Sequence, residues 1–172
     1  MREFSALAIL VKTIELRGNT VFTHEQLREV TAPYTNRELT TEDIEALRVA
    51  LTFYYINRGY VTSGAVVPDQ DLAGNVLIIQ IVEGRLAKID VEGNYWFRAS
   101  YIRSRIERGA GPPVNVQTLQ EHLQLLQLDP RFERLNATLQ PGLAPGENIL
   151  NLRVTESNPF KVRFTFNNYL SP

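Results

Sequence analysis

The sequence predicts an α+β fold of two consecutive β-α-α-β-β units, each a three-stranded mixed sheet with two helices packed on one face. Three observations predict it. First, the chain repeats itself: Ile14-Glu15-Leu16-Arg17-Gly18-Asn19-Thr20-Val21-Phe22 aligns with Ile89-Asp90-Val91-Glu92-Gly93-Asn94-Tyr95-Trp96-Phe97. Second, Leu77, Ile79, Ile81 and Glu83 match Leu150, Leu152, Val154 and Glu156, and both sets alternate at period two, as strands do. Third, Ile44, Leu47, Leu51 and Tyr54 form an apolar stripe at helical spacing, as do Val116, Leu119, Leu123 and Leu126. Two helices laid on a small sheet bury such stripes. The units meet near Gly84-Arg85, which places one domain at 8–84 and the second at 85–157, with 1–7 as linker or added residues.

Each element follows in order. A strand over Ile9–Leu16 ends in a Gly-Asn turn, where glycine supplies a positive φ. Thr23 and Gln26 have capping-box spacing, so a helix opens there and ends at Ala32-Pro33-Tyr34. A second helix opens at Thr40 or Thr41, with Glu42, Asp43 and Glu45 where the helix dipole favours acids, and stops at Gly59. Val49, Phe53 and Ile56 widen its stripe. Tyr60–Val67 and Val76–Val82 read as a hairpin around a polar loop. In the second unit a strand over Leu86–Val91 leads to a helix through Tyr101, Ile102 and Ile106. A helix capped by Asn115 and strands over Phe132–Leu139 and Asn148–Val154 complete it.

Beyond Ser157 the pattern changes. Phe160, Val162, Phe164 and Phe166 alternate with Lys161, Arg163, Thr165 and Asn167. This suits a membrane-barrel strand, with one face to lipid, or an extra edge strand on the second sheet.

Composition narrows the function. Among 172 residues, 18 Lys and Arg balance 19 Asp and Glu, which argues against a nucleic-acid binder. Without cysteine there is no disulfide, thiolate nucleophile or Cys-based zinc site. No run approaches a membrane helix, and Met1-Arg2-Glu3 lacks the order of a signal peptide. His24 reads as a solvent-facing residue beside a cap and His122 as the border of an apolar stripe; neither has an acid at ligand spacing. No serine sits in a nucleophile elbow, and Gly109-Ala110-Gly111 precedes prolines where a phosphate cradle would open a helix. The expectation is no catalytic residue, no metal, no cofactor and no nucleotide.

Val66-Val67-Pro68-Asp69-Gln70-Asp71-Leu72 and Val76–Gly84, with Leu139–Gly146 and Val154-Thr155-Glu156, resemble tandem POTRA (polypeptide-transport-associated) domains of two-partner secretion transporters, the TpsB type. That resemblance implies a module on the periplasmic face of a Gram-negative-type outer membrane. It captures an unfolded, TpsA-type exoprotein through the N-terminal domain of that partner and passes it to the C-terminal β-barrel. Residues 158–172 would then begin the first barrel strand. The alternative within the same fold is a POTRA module of a factor that assembles outer-membrane barrels.

A three-stranded sheet has two edges, and an unpaired edge offers N–H and C=O groups to an extended client. The POTRA resemblance puts the strand after the second helix on that edge. The candidate client-binding residues are Tyr60, Val61, Thr62, Ala65, Val66 and Val67, with Leu27 and Val30 lining an adjoining groove. The competing reading is that these residues complete the core and the edge is covered. Arg98, Arg103, Arg105 and Arg108 make one helix basic. Residues 1–85 carry 8 basic and 11 acidic side chains, and 86–172 carry 10 and 8, net −3 and +2. The basic helix is either a solvated face or a salt-sensitive docking surface.

Overall fold

A computed structural model of the chain describes residues 8–72 and 74–158. The linker expected at 1–7 and nearly all of the expected barrel-strand segment, 159–172, lie outside the described residues. Two three-stranded sheets, one on each side of Gly84, each carry two helices and a separate apolar core.

In the first unit the strand expected over Ile9–Leu16 is divided into β1 (Ile9–Val11) and β2 (Thr13–Arg17). β1 pairs antiparallel with β3 (Arg37–Leu39), an element that sequence reading lacked. The pairing sets Val11 and Leu39, both fully buried, into the first core. Helices α1 (His24–Thr31) and α2 (Thr41–Ile56) begin at capping boxes, Thr23 with Gln26 and Thr40 with Asp43. The buried face of α2 is rotated from the expected stripe: Leu47, Leu51 and Tyr55 are fully buried, while Phe53 is exposed. Tyr55 can lie that deep because its hydroxyl reaches Glu83, 3.0 Å away.

Strands β4 (Gly64–Val66) and β5 (Val76–Val82) complete a sheet of order β2-β5-β4, with β2 parallel and β4 antiparallel to β5. The strand expected over Tyr60–Val67 thus shrinks to three residues. Tyr60–Ser63 is a turn instead: the Tyr60 N–H donates to the Tyr55 carbonyl at 3.1 Å and the Ser63 N–H to the Tyr60 carbonyl at 3.0 Å.

The second unit repeats the plan with β6 (Arg85–Glu92), α3 (Ala99–Glu107), α4 (Val116–Gln127), β7 (Phe132–Pro141) and β8 (Glu147–Glu156). Its order is β6-β8-β7, parallel and then antiparallel. Ile89, Ile102, Ile106, Leu119, Leu126, Leu150 and Leu152 fill its core.

The repeated turn serves the same purpose in both units. Gly18 and Gly93 have φ of 82° and 80°, and a Cβ on either would strike a backbone carbonyl, of Ile81 or Val154. The turns are then braced by one carboxylate each, Glu83 at the end of β5 and Glu156 at the end of β8.

Candidate functional site

β4 and β7 are equivalent edge strands, and they differ sharply. In β4 the backbone groups of Ala65 turn away from β5 and are already engaged. The Ala65 N–H donates to Thr52 Oγ1 at 3.0 Å, and the Ala65 carbonyl accepts from Arg48 Nη1 at 3.4 Å. Both partners stand on α2, one turn apart, and Arg48 is itself paired with Glu45. The helix therefore caps the edge of the first sheet with side chains.

Of the sequence-predicted client residues, Val61 and Val66 are exposed, at 47% and 50%. Tyr60 packs edge-on against Phe22 and Tyr55. Thr62 lies in the turn at the junction, its hydroxyl buried where a Cβ on Gly84 would collide with it. Ala65 is buried, Val67 is half-buried, and Leu27 is wholly inside the core, so it lines no groove; Val30 is half-buried against the same core. Leu27 is in the core because α1 turns that face onto the sheet.

β7 is ten residues long and, among the described residues, pairs with β8 on one side only. The Gly142 N–H donates to the Glu147 carbonyl at 2.7 Å, which fixes the phase of the antiparallel ladder. From there, Gln140, Thr138 and Asn136 bond toward β8, and Leu139, Ala137 and Leu135 point their N–H and C=O outward. Pro141, which has no N–H, falls in an outward position, as edge prolines do. Among the described residues no side chain caps these outward groups as Thr52 and Arg48 cap Ala65. Leu135 and Leu139 pack on the core from the same face as the exposed, small Ala137. Sequence reading placed this strand but passed over its edge; both edge strands read there as eight residues, so length did not tell them apart.

Three of the four arginines are engaged locally. Arg103 Nε donates to the Ile89 carbonyl at 2.9 Å, Arg105 lies 5.1 Å over the Tyr101 ring, and Arg108 Nε donates to the Ser104 carbonyl at 3.0 Å. Arg98 is exposed at the start of α3. His24 is exposed beside the α1 cap, and His122 packs its ring on Gly109. Among the described residues no group of three or more His, Asp or Glu is placed to hold a metal ion.

The Glu83 brace is a perturbed acid. Burial raises its pKa, but the Thr20 hydroxyl, the N–H groups of Thr20 and Val21 and the Tyr55 hydroxyl outweigh burial and hold it below the usual carboxylate range. Tyr55 moves the other way: burial, then the Glu83 charge, pushes its hydroxyl far up.

The units join through a short, well-bonded junction. The Val114 N–H donates to the Gly84 carbonyl at 2.7 Å, and the Gly84 N–H to Ser63 Oγ at 2.9 Å. Asn115 caps α4 with its Oδ1 while its Nδ2 donates to the Arg58 carbonyl at 2.9 Å; the Val116 N–H donates to the Gly59 carbonyl at 2.9 Å. The C-terminal end of α2 thus abuts the N-terminal end of α4, with opposite dipole ends facing.

Comparison with known proteins decides what these domains are. Residues 9–84 match the family described as POTRA domain, ShlB-type. The first unit is a ShlB-type POTRA domain. Its fold recurs in the second unit. The outer membrane transporter CdiB of Dickeya dadantii (strain 3937) is 29% identical over 158 residues, 92% of this chain and 28% of the relative. CdiB of Escherichia coli is 30% identical over 142 residues, 83% of this chain and 24% of the relative. The solved structure of CdiB from Escherichia coli overlays with a TM-score of 0.73 at 27% identity, covering 91% of this chain and 29% of that one. The N-terminal domain of Omp85 from Thermosynechococcus elongatus overlays with 0.72 at 25% identity, covering 87% and 67%. This chain spans about a quarter of the length of the curated relatives it matches. No helix among the described residues is long and apolar enough to cross a membrane.

Proposed function

We propose that these POTRA domains are the periplasmic recognition module of a two-partner secretion transporter. They take up an extended segment of an unfolded secreted partner as an added β-strand and pass it to a following outer-membrane barrel. The observation that carries the reading is the β7 edge, where Leu135, Ala137 and Leu139 offer outward N–H and C=O pairs that an incoming backbone can satisfy without demanding one sequence. The edge named from sequence is the weaker candidate. It has three residues, and its central pair is held by Thr52 and Arg48. Val61 and Val66 give it a secondary role as an apolar contact beside the first domain. The arginines of α3 then steer an acidic client, an effect that fades with salt.

The test is an NMR titration of the chain with the unfolded N-terminal domain of a secreted protein encoded beside its gene. The expected result is shifts over Arg134–Gln140 that Ala137→Pro abolishes while the β8 ladder amides persist. Shifts confined to Tyr60–Val67 would return the site to the first domain. Shifts centred on Arg98–Arg108 and lost with salt would make charge the main force. A second reading, a scaffold for barrel assembly, draws on the Omp85 likeness; it predicts the same shifts with unfolded barrel proteins in place of the secreted partner.

A further inference from the structure

Counted from their N-caps, Thr40 and Asn115, helices α2 and α4 align: Leu123 stands where Arg48 does, and Gln127 where Thr52 does. The sheets align as well, since Leu135 pairs with Val154 as Ala65 pairs with Ile81. The arginine that holds the Ala65 carbonyl at 3.4 Å is thus replaced in the second unit by a leucine, which cannot donate. The opposite edge of the second sheet is engaged by a side chain: the Ile89 carbonyl of β6 accepts from Arg103 Nε at 2.9 Å. The edge open to an added strand is β7.

The replacement also changes the chemistry beside that edge. Leu123 is half-buried against the second core, as are Leu135 and Leu139 on the face of β7 that packs with α4. Between those two leucines Ala137 is exposed, so the apolar row has a gap at its middle. The other face of β7 is polar and uncharged. There Asn136 and Thr138 line a shallow depression with Asn151 and the Arg153–Glu92 pair, whose atoms lie 3.4 Å apart. In a strand added to β7, the residue opposite Ala137 projects to the same face as Ala137, and its two neighbours project to the polar face.

We propose that Ala137 sets the specificity of the β7 edge: its gap takes one large apolar side chain of the incoming strand, and the flanking positions take uncharged polar ones. This deepens, and rests on, the reading of β7 as the edge to which a client strand is added. The occupant is an extended segment of an unfolded chain whose side chains alternate between apolar and polar. Backbone bonds hold any such segment. A leucine in the gap adds the burial of part of its side chain, enough for about a tenfold preference over a polar residue there.

Two synthetic peptides, flanked by lysines for solubility, test this: one alternates leucine and threonine, the other serine and threonine. Both should shift the Arg134–Gln140 amides in NMR titrations, with the leucine peptide binding about tenfold more tightly. Ala137→Leu fills the gap and should bring the two peptides within about twofold of each other. Ala137→Ser leaves the gap open and should keep the preference. Ala137 is exposed, so both variants keep their fold, which the β8 ladder amides report. Equal binding of the two peptides by the native chain overturns the proposal and leaves strand addition standing. Tighter leucine-peptide binding by Ala137→Leu overturns it as well, because area and not the gap then decides, as does a preference lost in Ala137→Ser. β7 amides that neither peptide moves overturn it too; if the unfolded secreted domain also leaves them unmoved, strand addition falls with it. A β7 already paired in the free chain, with residues 159–172 or with a second copy, overturns both readings.

Discussion

The two units share one scaffold and diverge at its margins. Both brace the Gly-Asn turn with a glutamate at the end of the last strand, but Glu83 also holds the buried Tyr55 hydroxyl, whereas among the described residues Glu156 meets backbone N–H groups. Both have an edge strand after the second helix, but the first is short and capped and the second long and open. The difference teaches that in this repeat the interior constrains the sequence tightly, and the edges and turns are where one copy can be closed and the other made receptive.

The largest effect should come from breaking the braces. Glu83→Ala removes several charge-assisted hydrogen bonds and leaves the Tyr55 hydroxyl buried without its partner. It should destabilise the first domain by roughly 3 kcal/mol, after allowing for solvent screening. Glu156→Ala should cost the second domain about half as much, because it strands no buried group. Amide hydrogen exchange at Thr20 and Val21, against Tyr95 to Phe97, reads each domain separately. Equal losses would show that Tyr55 adds nothing to its brace. The pH dependence has a definite sign. The folded Glu83 pKa is depressed, so its contribution is complete above the ordinary carboxylate value and is lost as pH falls through the lower folded value. Glu83→Gln should flatten that acid limb for Thr20 and Val21.

How much of this was legible in the sequence depends on the range of the interaction. The capping box at Thr23, a helix start at Thr40 or Thr41 and the cap at Asn115 were readable, because helix starts are decided within about three residues. The turn repeat was readable because its glycine is dictated by backbone geometry. β3 was not, because three residues with only Leu39 buried become a strand only when β1 lies alongside. Nor was the phase of α2: Tyr54 and Tyr55 are equal as residue types, and only the distant Glu83 selects Tyr55 for the interior. Alternation at Tyr60–Val67 also carried no record of Thr52 and Arg48, thirteen and seventeen residues before Ala65.

The junction offers a smaller test of how the domains are coupled. Asn115 is both a helix cap and a hook on the Arg58 carbonyl, so Asn115→Ala should cost the second domain about 1 kcal/mol and also widen the inter-domain angle. Asn115→Ser keeps a capping oxygen but cannot donate that far, so it should widen the angle at little cost in stability. Small-angle scattering and unfolding separate the two roles. Gly59→Ala should act like both together. Its φ of 91° suits glycine, and a Cβ would press 2.6 Å from Asn115 Oδ1. An angle unchanged in all three variants would leave the restraint to the Gly84 bonds and the Val116–Gly59 backbone bond.

The finest comparison concerns why the first edge is closed. Two causes are superimposed there: β4 is short, and Ala65 is capped. Thr52→Val separates them, since valine keeps the shape of threonine but cannot accept the Ala65 N–H. The stability loss should be about 1–2 kcal/mol, because Ala65 is buried and its freed N–H loses its partner. If capping is what closes the edge, the variant should gain client-induced shifts at Gly64–Val66 that the native chain lacks, while those at Arg134–Gln140 stay as they were. If length is what closes it, no new shifts appear, because three residues give an added strand too few bonds to offset its ordering. Adding Arg48→Met, which frees the Ala65 carbonyl as well, should strengthen the first outcome and leave the second untouched.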